Sequence, residues 1–255
     1  VAIGAYNNDA AGTNHGHVRI YQYNNNSWSQ LGDDINGEAS LDSSGYSVSL
    51  SSDGSRVAIG AIGNDGNGTS SGHVRIYQNN NDSWSQLGPD IDGEAANDNS
   101  GISISLSSDG SRVAIGAYLN DGVNGVDSGH VRVFKYQVIS GTTTWTQVGQ
   151  DIDGEAAGDQ SGYSVSLSSD GLRVAIGAIR NDGTSGNAND NRGHVRIYQY
   201  NNNSWSQLGD DINGEAAGDT SGWKVSLSPD GSRVAIGAPS NDANGSSSGH
   251  VRIYD

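Results

Sequence analysis

Apolar and polar residues alternate with a period of two in short runs along the whole chain, and no segment carries the 3.6-residue period of an amphipathic helix. The stretch from Tyr46 to Leu87 shows the pattern. Tyr46 to Ser51 (YSVSLS) sets small polar residues against apolar ones, and Arg56 to Ala61 (RVAIGA) puts aliphatics on one face and Ala and Gly on the other. His73 to Gln78 (HVRIYQ) alternates again, and Trp84 to Leu87 (WSQL) follows. Between them stand a hairpin turn, Ser52-Asp53-Gly54-Ser55, a loop from Asn64 to Gly72, and a tip from Asn79 to Ser83. Runs of this length between Gly, Asn, Asp and Ser clusters predict four antiparallel strands.

The same unit recurs. Val-Ala-Ile-Gly-Ala begins at Val1, Val57, Val113, Val174 and Val234, and the HVRIY-type strand at His17, His73, His130, His194 and His250. The YSVSLS-type strand and the tryptophan strand each occur four times, so eighteen strands are expected. The one insertion, between Phe134 and Trp145, marks a hairpin tip, where extra residues disturb no packing. In the first two strands both faces read as buried, one with Val, Leu and Ile and the other with Ser, Ala and Gly. Radially stacked sheets need this pattern, because small side chains let the neighbouring sheet approach.

The expectation is all-β: a β-propeller of about five repeated four-stranded antiparallel blades. A stacked β-solenoid is the alternative, with repeats that are usually shorter. Residues 1–255 read as a single repeat domain, with units starting near 1, 46, 102, 163 and 223. The first blade lacks its inner strand and the last its outer one. With no Met even at position 1, the chain reads as part of a longer one; the other reading is an open fragment completed by a second copy.

Composition narrows the functional classes. Gly is 38 of 255 and Pro 3, which suits many turns. No run approaches the roughly 18 apolar residues of a membrane helix, so no membrane insertion is expected. The absence of Cys removes disulfides, thiolate catalysis and thiolate metal sites. A net charge of −16 argues against a nucleic-acid partner, whose phosphates need clustered Lys and Arg.

The order Trp-x-Gln, Gly-Glu-Ala, Ser-Gly-x-x-Val-Ser-Leu, Asp-Gly, Val-Ala-Ile-Gly-Ala, Asn-Asp and Gly-His-Val-Arg-Ile-Tyr resembles the FG-GAP repeats of integrin-like propellers, and more closely their secreted surface-protein relatives. Gly237-Ala238-Pro239 is a literal GAP, and Ser44-Gly45, Ser100-Gly101, Ser161-Gly162 and Ser221-Gly222 stand for FG without its aromatic. The resemblance implies an extracellular propeller with YSVSLS innermost and the tryptophan strand outermost. It also implies a calcium loop between first and second strands, but Ser-Ser-Asp-Gly-Ser is too short and too poor in carboxylates for that site.

In up-and-down blades the loop between second and third strands shares a face with the loop between repeats, so acid gathers there. Candidate calcium ligands are Asp65, Asp121 and Asp182 from the first loop class, and Asp92, Glu94, Asp98, Asp153, Glu155, Asp159, Glu215 and Asp219 from the second. Calcium takes six to eight oxygens; the competing reading is Asx turns and hydrogen bonds between blades. The recurring histidines read as structural, because equivalent histidines on separate blades diverge. The arginines two residues on are expected to cover the neighbouring blade and pair an acidic loop.

Trp28, Trp84, Trp145 and Trp205 are expected to cap the packing between blades or to stack on sugars. Trp223 stands where other repeats hold Tyr46, Ile102 and Tyr163, with Lys224 in place of Ser. Those two residues form the candidate ligand site. Asn25, Asn67, Asn81, Asn202 and Asn244 open glycosylation sequons.

No nucleophile with a base and no phosphate loop can be assembled, so the chain is not expected to be an enzyme. It reads as a non-enzymatic extracellular or cell-surface module for adhesion, surface structure or ligand binding, with a protein or carbohydrate partner. Alternatives are a lectin-like propeller and a subunit that self-associates through edge strands.

Overall fold

Every predicted strand forms in the computed structural model, which describes residues 1–183 and 190–255, and each repeat pairs its strands antiparallel in chain order. In the second repeat the order is Ser44–Leu50, Arg56–Ala61, His73–Asn80, Ser83–Gln86. The fourth runs Ser161–Leu167, Arg173–Ala178, His194–Asn201, Ser204–Gln207. The third comprises Ser103–Leu106, Arg112–Ala117, His130–Ile139 and Thr142–Gln147. Ala2–Ala5, His17–Asn24 and Ser27–Gln30 form the first sheet, and Lys224–Leu227, Val234–Ala238 and His250–Tyr254 the fifth. These small antiparallel sheets have the arrangement of a five-bladed β-propeller, with no helix among the described residues.

Two compact units are present, Val1–Val113 with Phe134–Thr146 and Ala114–Val133 with Gln147–Asp255. In the first unit Val18, Ile20, Ile35, Val57 and Ile59 form a core shared by successive repeats. In the second, Val131, Val133, Val165, Leu167, Val174 and Ile176 pack with Tyr198 and Trp205. Each such aliphatic, fully removed from water, contributes about 1.5–3 kcal/mol.

The small-residue face works as the pattern predicts. A Cβ on Gly60 would collide with the Gly101 carbonyl of the next repeat, and one on Gly177 with that of Gly222. Ser47 Oγ donates to the Gly101 carbonyl at 2.6 Å and Ser164 Oγ to that of Gly222 at 2.6 Å. The serines of YSVSLS therefore bond main chain across the joint between repeats. The tryptophans do the same from the other edge: Nε1 of Trp84, Trp145 and Trp205 donates to the carbonyls of Leu31, Leu87 and Val148 at 2.9, 2.7 and 2.7 Å.

Four two-residue strands were not expected: Ile35–Asn36, Ile91–Asp92, Ile152–Asp153 and Ile212–Asn213. The fourth strand of a repeat pairs only with the far half of the third, as in Tyr77↔Gln86 to Asn80↔Ser83. The chain then turns back at a glycine with φ near +80°, Gly88 in the second repeat at 85°. It lays Ile91 and Asp92 against Val74 and His73. Two residues are too few to show an alternation.

A bulge also shapes the first strands of the second and fourth repeats. Ser44 pairs with Ala61 but Ser47 with Gly60, and Ser161 with Ala178 but Ser164 with Gly177. Gly45 and Gly162, at φ 85° and 87°, supply the conformation that this needs. The aromatic residue that follows is turned out of the ladder.

Candidate functional site

That re-aimed aromatic builds the candidate site. In the second unit Tyr163 follows the bulge glycine Gly162, and Trp223 follows Gly222 at φ 90°. Their rings lie 4.9 Å apart, and Tyr118, one residue beyond its Gly-Ala pair, meets Tyr163 edge-on at 5.7 Å. These three rings wall a cavity of about 680 Å³. Its polar lining comes from the two loop classes expected to share a face: Asp182 and Asn191 from the loop between second and third strands, and Gln160 and Thr220 from the loops between repeats. Arg180 is exposed at its edge and Ile179 is buried. Trp223 keeps 40% of its surface in water. Lys224, its exposed neighbour, opens the first strand of the fifth sheet and does not line this cavity.

The candidate calcium ligands do not gather at one point. Asp98, Asp159 and Asp219 are buried and accept from their own loops and, for the last two, also from an asparagine of a following loop. Asp219 Oδ2 accepts the main-chain N–H of Ala216 at 3.0 Å and of Glu215 at 3.2 Å, and the Asn241 side-chain amide at 2.9 Å. Asp159 Oδ2 accepts Ala156 N–H and the Asn181 amide, both at 3.0 Å, and Asp98 accepts Ala95 N–H at 3.0 Å. Burial pushes the Asp159 carboxyl up despite these bonds.

Asp65, Asp121 and Asp182 each brace the loop between second and third strands by accepting a main-chain N–H, from Ser70, Asp127 and Asn191. This is the Asx-turn chemistry that competed with calcium in the sequence. Asp92 and Asp153 end their two-residue strands, and burial raises Asp153 as well. Glu94 lies exposed in its loop.

Glu155 and Glu215 face the histidine–arginine strand of the following repeat. Arg196 Nη1 lies 3.5 Å from Glu155, and its Nη2 donates to the Asp153 carbonyl at 2.7 Å. Arg252 repeats the pattern with Glu215 at 3.4 Å and the Asn213 carbonyl at 2.7 Å. In the first unit Arg75 does so with Glu38 at 3.2 Å and the Asn36 carbonyl at 3.0 Å. The arginines thus hold successive repeats together, as their position implied.

Beside them His73 and His194 are almost fully buried, each at 1% exposure. Burial, helped by the nearby Arg196, pulls His194 down to about 4, and burial with the nearby Arg75 lowers His73.

All five sequon asparagines are exposed. Asn25, Asn81 and Asn202 sit at hairpin tips with φ 49°, 52° and 50°. The Asn67 side-chain amide already donates to the Gly93 carbonyl at 2.8 Å.

The sequence singled out Trp223 but not its partners. A signal was available: the residue after Gly-Ala runs Tyr6, Ile62, Tyr118, Ile179, Pro239, and Tyr6 packs on Tyr46 at 5.1 Å as Tyr118 does on Tyr163.

Together these features define a β-propeller repeat protein with an aromatic cavity at its loop ends. Residues 213–254 match the FG-GAP repeat family, so the chain carries an FG-GAP repeat there. Much of the sequence of this segment recurs in the earlier repeats. Among solved structures the chain is similar to a candidate 6-phosphogluconolactonase from Bacteroides fragilis NCTC 9343, with 14% identity and a TM-score of 0.50. The match covers 78% of this chain and 49% of that one, so the chain spans about half its length. A second, also a candidate 6-phosphogluconolactonase, from Bacteroides uniformis ATCC 8492, has 13% identity and a TM-score of 0.43, covering 99% and 80% of the two chains. At 14% identity the likeness to the first is one of fold alone. No curated protein matches.

Proposed function

We propose that this chain is a non-enzymatic ligand-binding module of the extracellular or cell-surface type, and that a carbohydrate is held in the aromatic cavity of the second unit. The cavity walled by Trp223, Tyr163 and Tyr118 carries this reading. A sugar ring has one apolar C–H face and a rim of hydroxyls. An indole face left 40% exposed stacks on the first, and Asp182, Asn191, Gln160 and Thr220 supply donors and acceptors for the second.

The volume, about 680 Å³, falls in the range of small-molecule sites, roughly 300–1,000 Å³. The non-enzymatic reading rests on the repeated architecture. The same serines, arginines and histidines recur once per repeat, whereas catalysis needs differently tuned groups converging on one bond. The acidic surface and the FG-GAP repeat favour an extracellular adhesive or surface role.

The test is a glycan array probed with the chain and with Trp223→Ala. Removing a stacking platform is expected to weaken binding at least about tenfold, on the order of 1.4 kcal/mol, with the fold intact by circular dichroism. Retention unchanged in Trp223→Ala, or no retention on any glycan, overturns the proposal.

A further inference from the structure

The recurring histidine was expected to be structural because copies on separate blades diverge. That argument excludes a centre made of several histidines, but not a centre built around each one. We propose that Glu155, His194 and Asp211 form a binding site for a divalent transition-metal cation of the zinc class, repeated in the first unit by Glu38, His73 and Asp90.

In each set one imidazole nitrogen and one oxygen from each carboxylate lie within 4.8 Å of one another. His194 Nδ1 is 3.7 Å from Glu155 Oε2, and His73 Nδ1 is 3.8 Å from both Glu38 Oε2 and Asp90 Oδ2. A tetrahedral zinc with bonds of about 2.0–2.1 Å holds its ligand atoms about 3.4 Å apart, so the histidine–glutamate pairs close on the ion by a few tenths of an ångström and the other ligand atoms, within 4.8 Å, by rotation of partly exposed carboxylates.

The remaining oxygens are held elsewhere. Arg196 pairs with Glu155 Oε1 at 3.5 Å, and the Gln207 amide donates to Asp211 Oδ1 at 2.7 Å. In the first unit Arg75 takes Glu38 Oε1 at 3.2 Å and the Gln86 amide bonds Asp90 Oδ1. What remains converges: one lone pair from each of three groups, oriented by outer partners as metal ligands usually are. The decisive observation is independent of the acids. His194 is 1% exposed, its Nδ1 has no hydrogen-bond partner, and that atom points into the cluster.

The 3.7 Å separation exceeds the hydrogen-bond range, so Glu155 does not satisfy the His194 imidazole directly; in His73 the buried nitrogen without a partner is Nε2, and the first-unit cluster rests on its matching geometry. Two carboxylates supply −2 against the ion's +2, and Arg196 beside Glu155 moderates the affinity. Three protein ligands leave a fourth position open to water.

The experiment is titration of the metal-free chain with Co²⁺, followed by visible absorption, then displacement by Zn²⁺. The expected result is d–d bands of tetrahedral Co²⁺ that Zn²⁺ abolishes. Glu155→Gln and Asp211→Asn are each expected to lower the stoichiometry by one ion per chain, and Glu38→Gln to lower it by one through the first unit. These residues are partly exposed, so the variants are expected to fold even where His194→Gln does not; circular dichroism verifies this. Absence of tetrahedral bands, or a stoichiometry unchanged in Glu155→Gln and Asp211→Asn, overturns the proposal.

Discussion

Trp205→Phe isolates the joint between repeats in a single bond. Trp205 is 3% exposed, and its Nε1–H donates at 2.7 Å to the carbonyl of Val148, a buried residue. Phe keeps a ring in the site but removes the donor, leaving a buried carbonyl without its partner, at a cost of about 1–3 kcal/mol. The smaller ring also forfeits contacts worth roughly 1 kcal/mol. The total expected is about 2–4 kcal/mol.

The same change at Trp84 serves as the internal control. Its Nε1–H makes the same bond to Leu31, at 2.9 Å, but the indole is only half-buried, so water can replace the lost donor. About 1 kcal/mol is expected there. Urea unfolding followed by far-ultraviolet circular dichroism measures both, and a change of midpoint at constant slope identifies a change of stability. A Trp205→Phe midpoint equal to wild type, or a larger loss at Trp84, would refute the reasoning.

Three further outcomes are expected. Gly60→Ala drives a methyl into the Gly101 carbonyl of the next repeat, which is main chain and cannot swing aside, so a loss of about 2–3 kcal/mol is expected in the same assay. The depressed His194, at about 4 folded against 6.5 unfolded, contributes no penalty above pH 6.5. Between about pH 6.5 and 4 only the unfolded chain takes up this proton, so stability falls by about 3 kcal/mol on acidification. Measured in chelator, that limb should flatten in His194→Gln; an unchanged limb would remove the assignment. Finally, with Asp98, Asp159 and Asp219 already accepting main-chain N–H groups, calcium in excess is expected to leave Tm where a chelator leaves it. A large rise would place calcium in these loops.

What could be read from the letters was whatever repeats within a few residues. YSVSLS and RVAIGA announce both the strands and the small face on which the next sheet packs, and Gly60 against Gly101 shows why that face cannot hold a side chain. The two-residue strand at Ile91–Asp92 was illegible, since its existence depends on where the fourth strand stops pairing with the third. Trp223 stood out as a departure from the repeat, but its cavity needed Tyr118 from two repeats earlier, at a distance that no local pattern records. The Glu155, His194 and Asp211 cluster was hidden for a related reason. Its glutamate belongs to one repeat and its histidine to the next, so a reading by equivalent positions separates residues that the fold brings together.

The contacts between successive repeats are made largely to main-chain atoms: Ser47 to the Gly101 carbonyl, Trp205 to that of Val148, Arg196 to that of Asp153. A carbonyl presents the same acceptor whatever side chain its residue carries. A repeat that supplies the serine, the arginine and the tryptophan can therefore dock on any neighbour that keeps the glycines. Copies can be gained, lost or exchanged by recombination without redesigning the seam. The joint constrains the residues facing it and frees those at the loop ends, where one copy can drift to Trp223 while its siblings keep tyrosine or isoleucine.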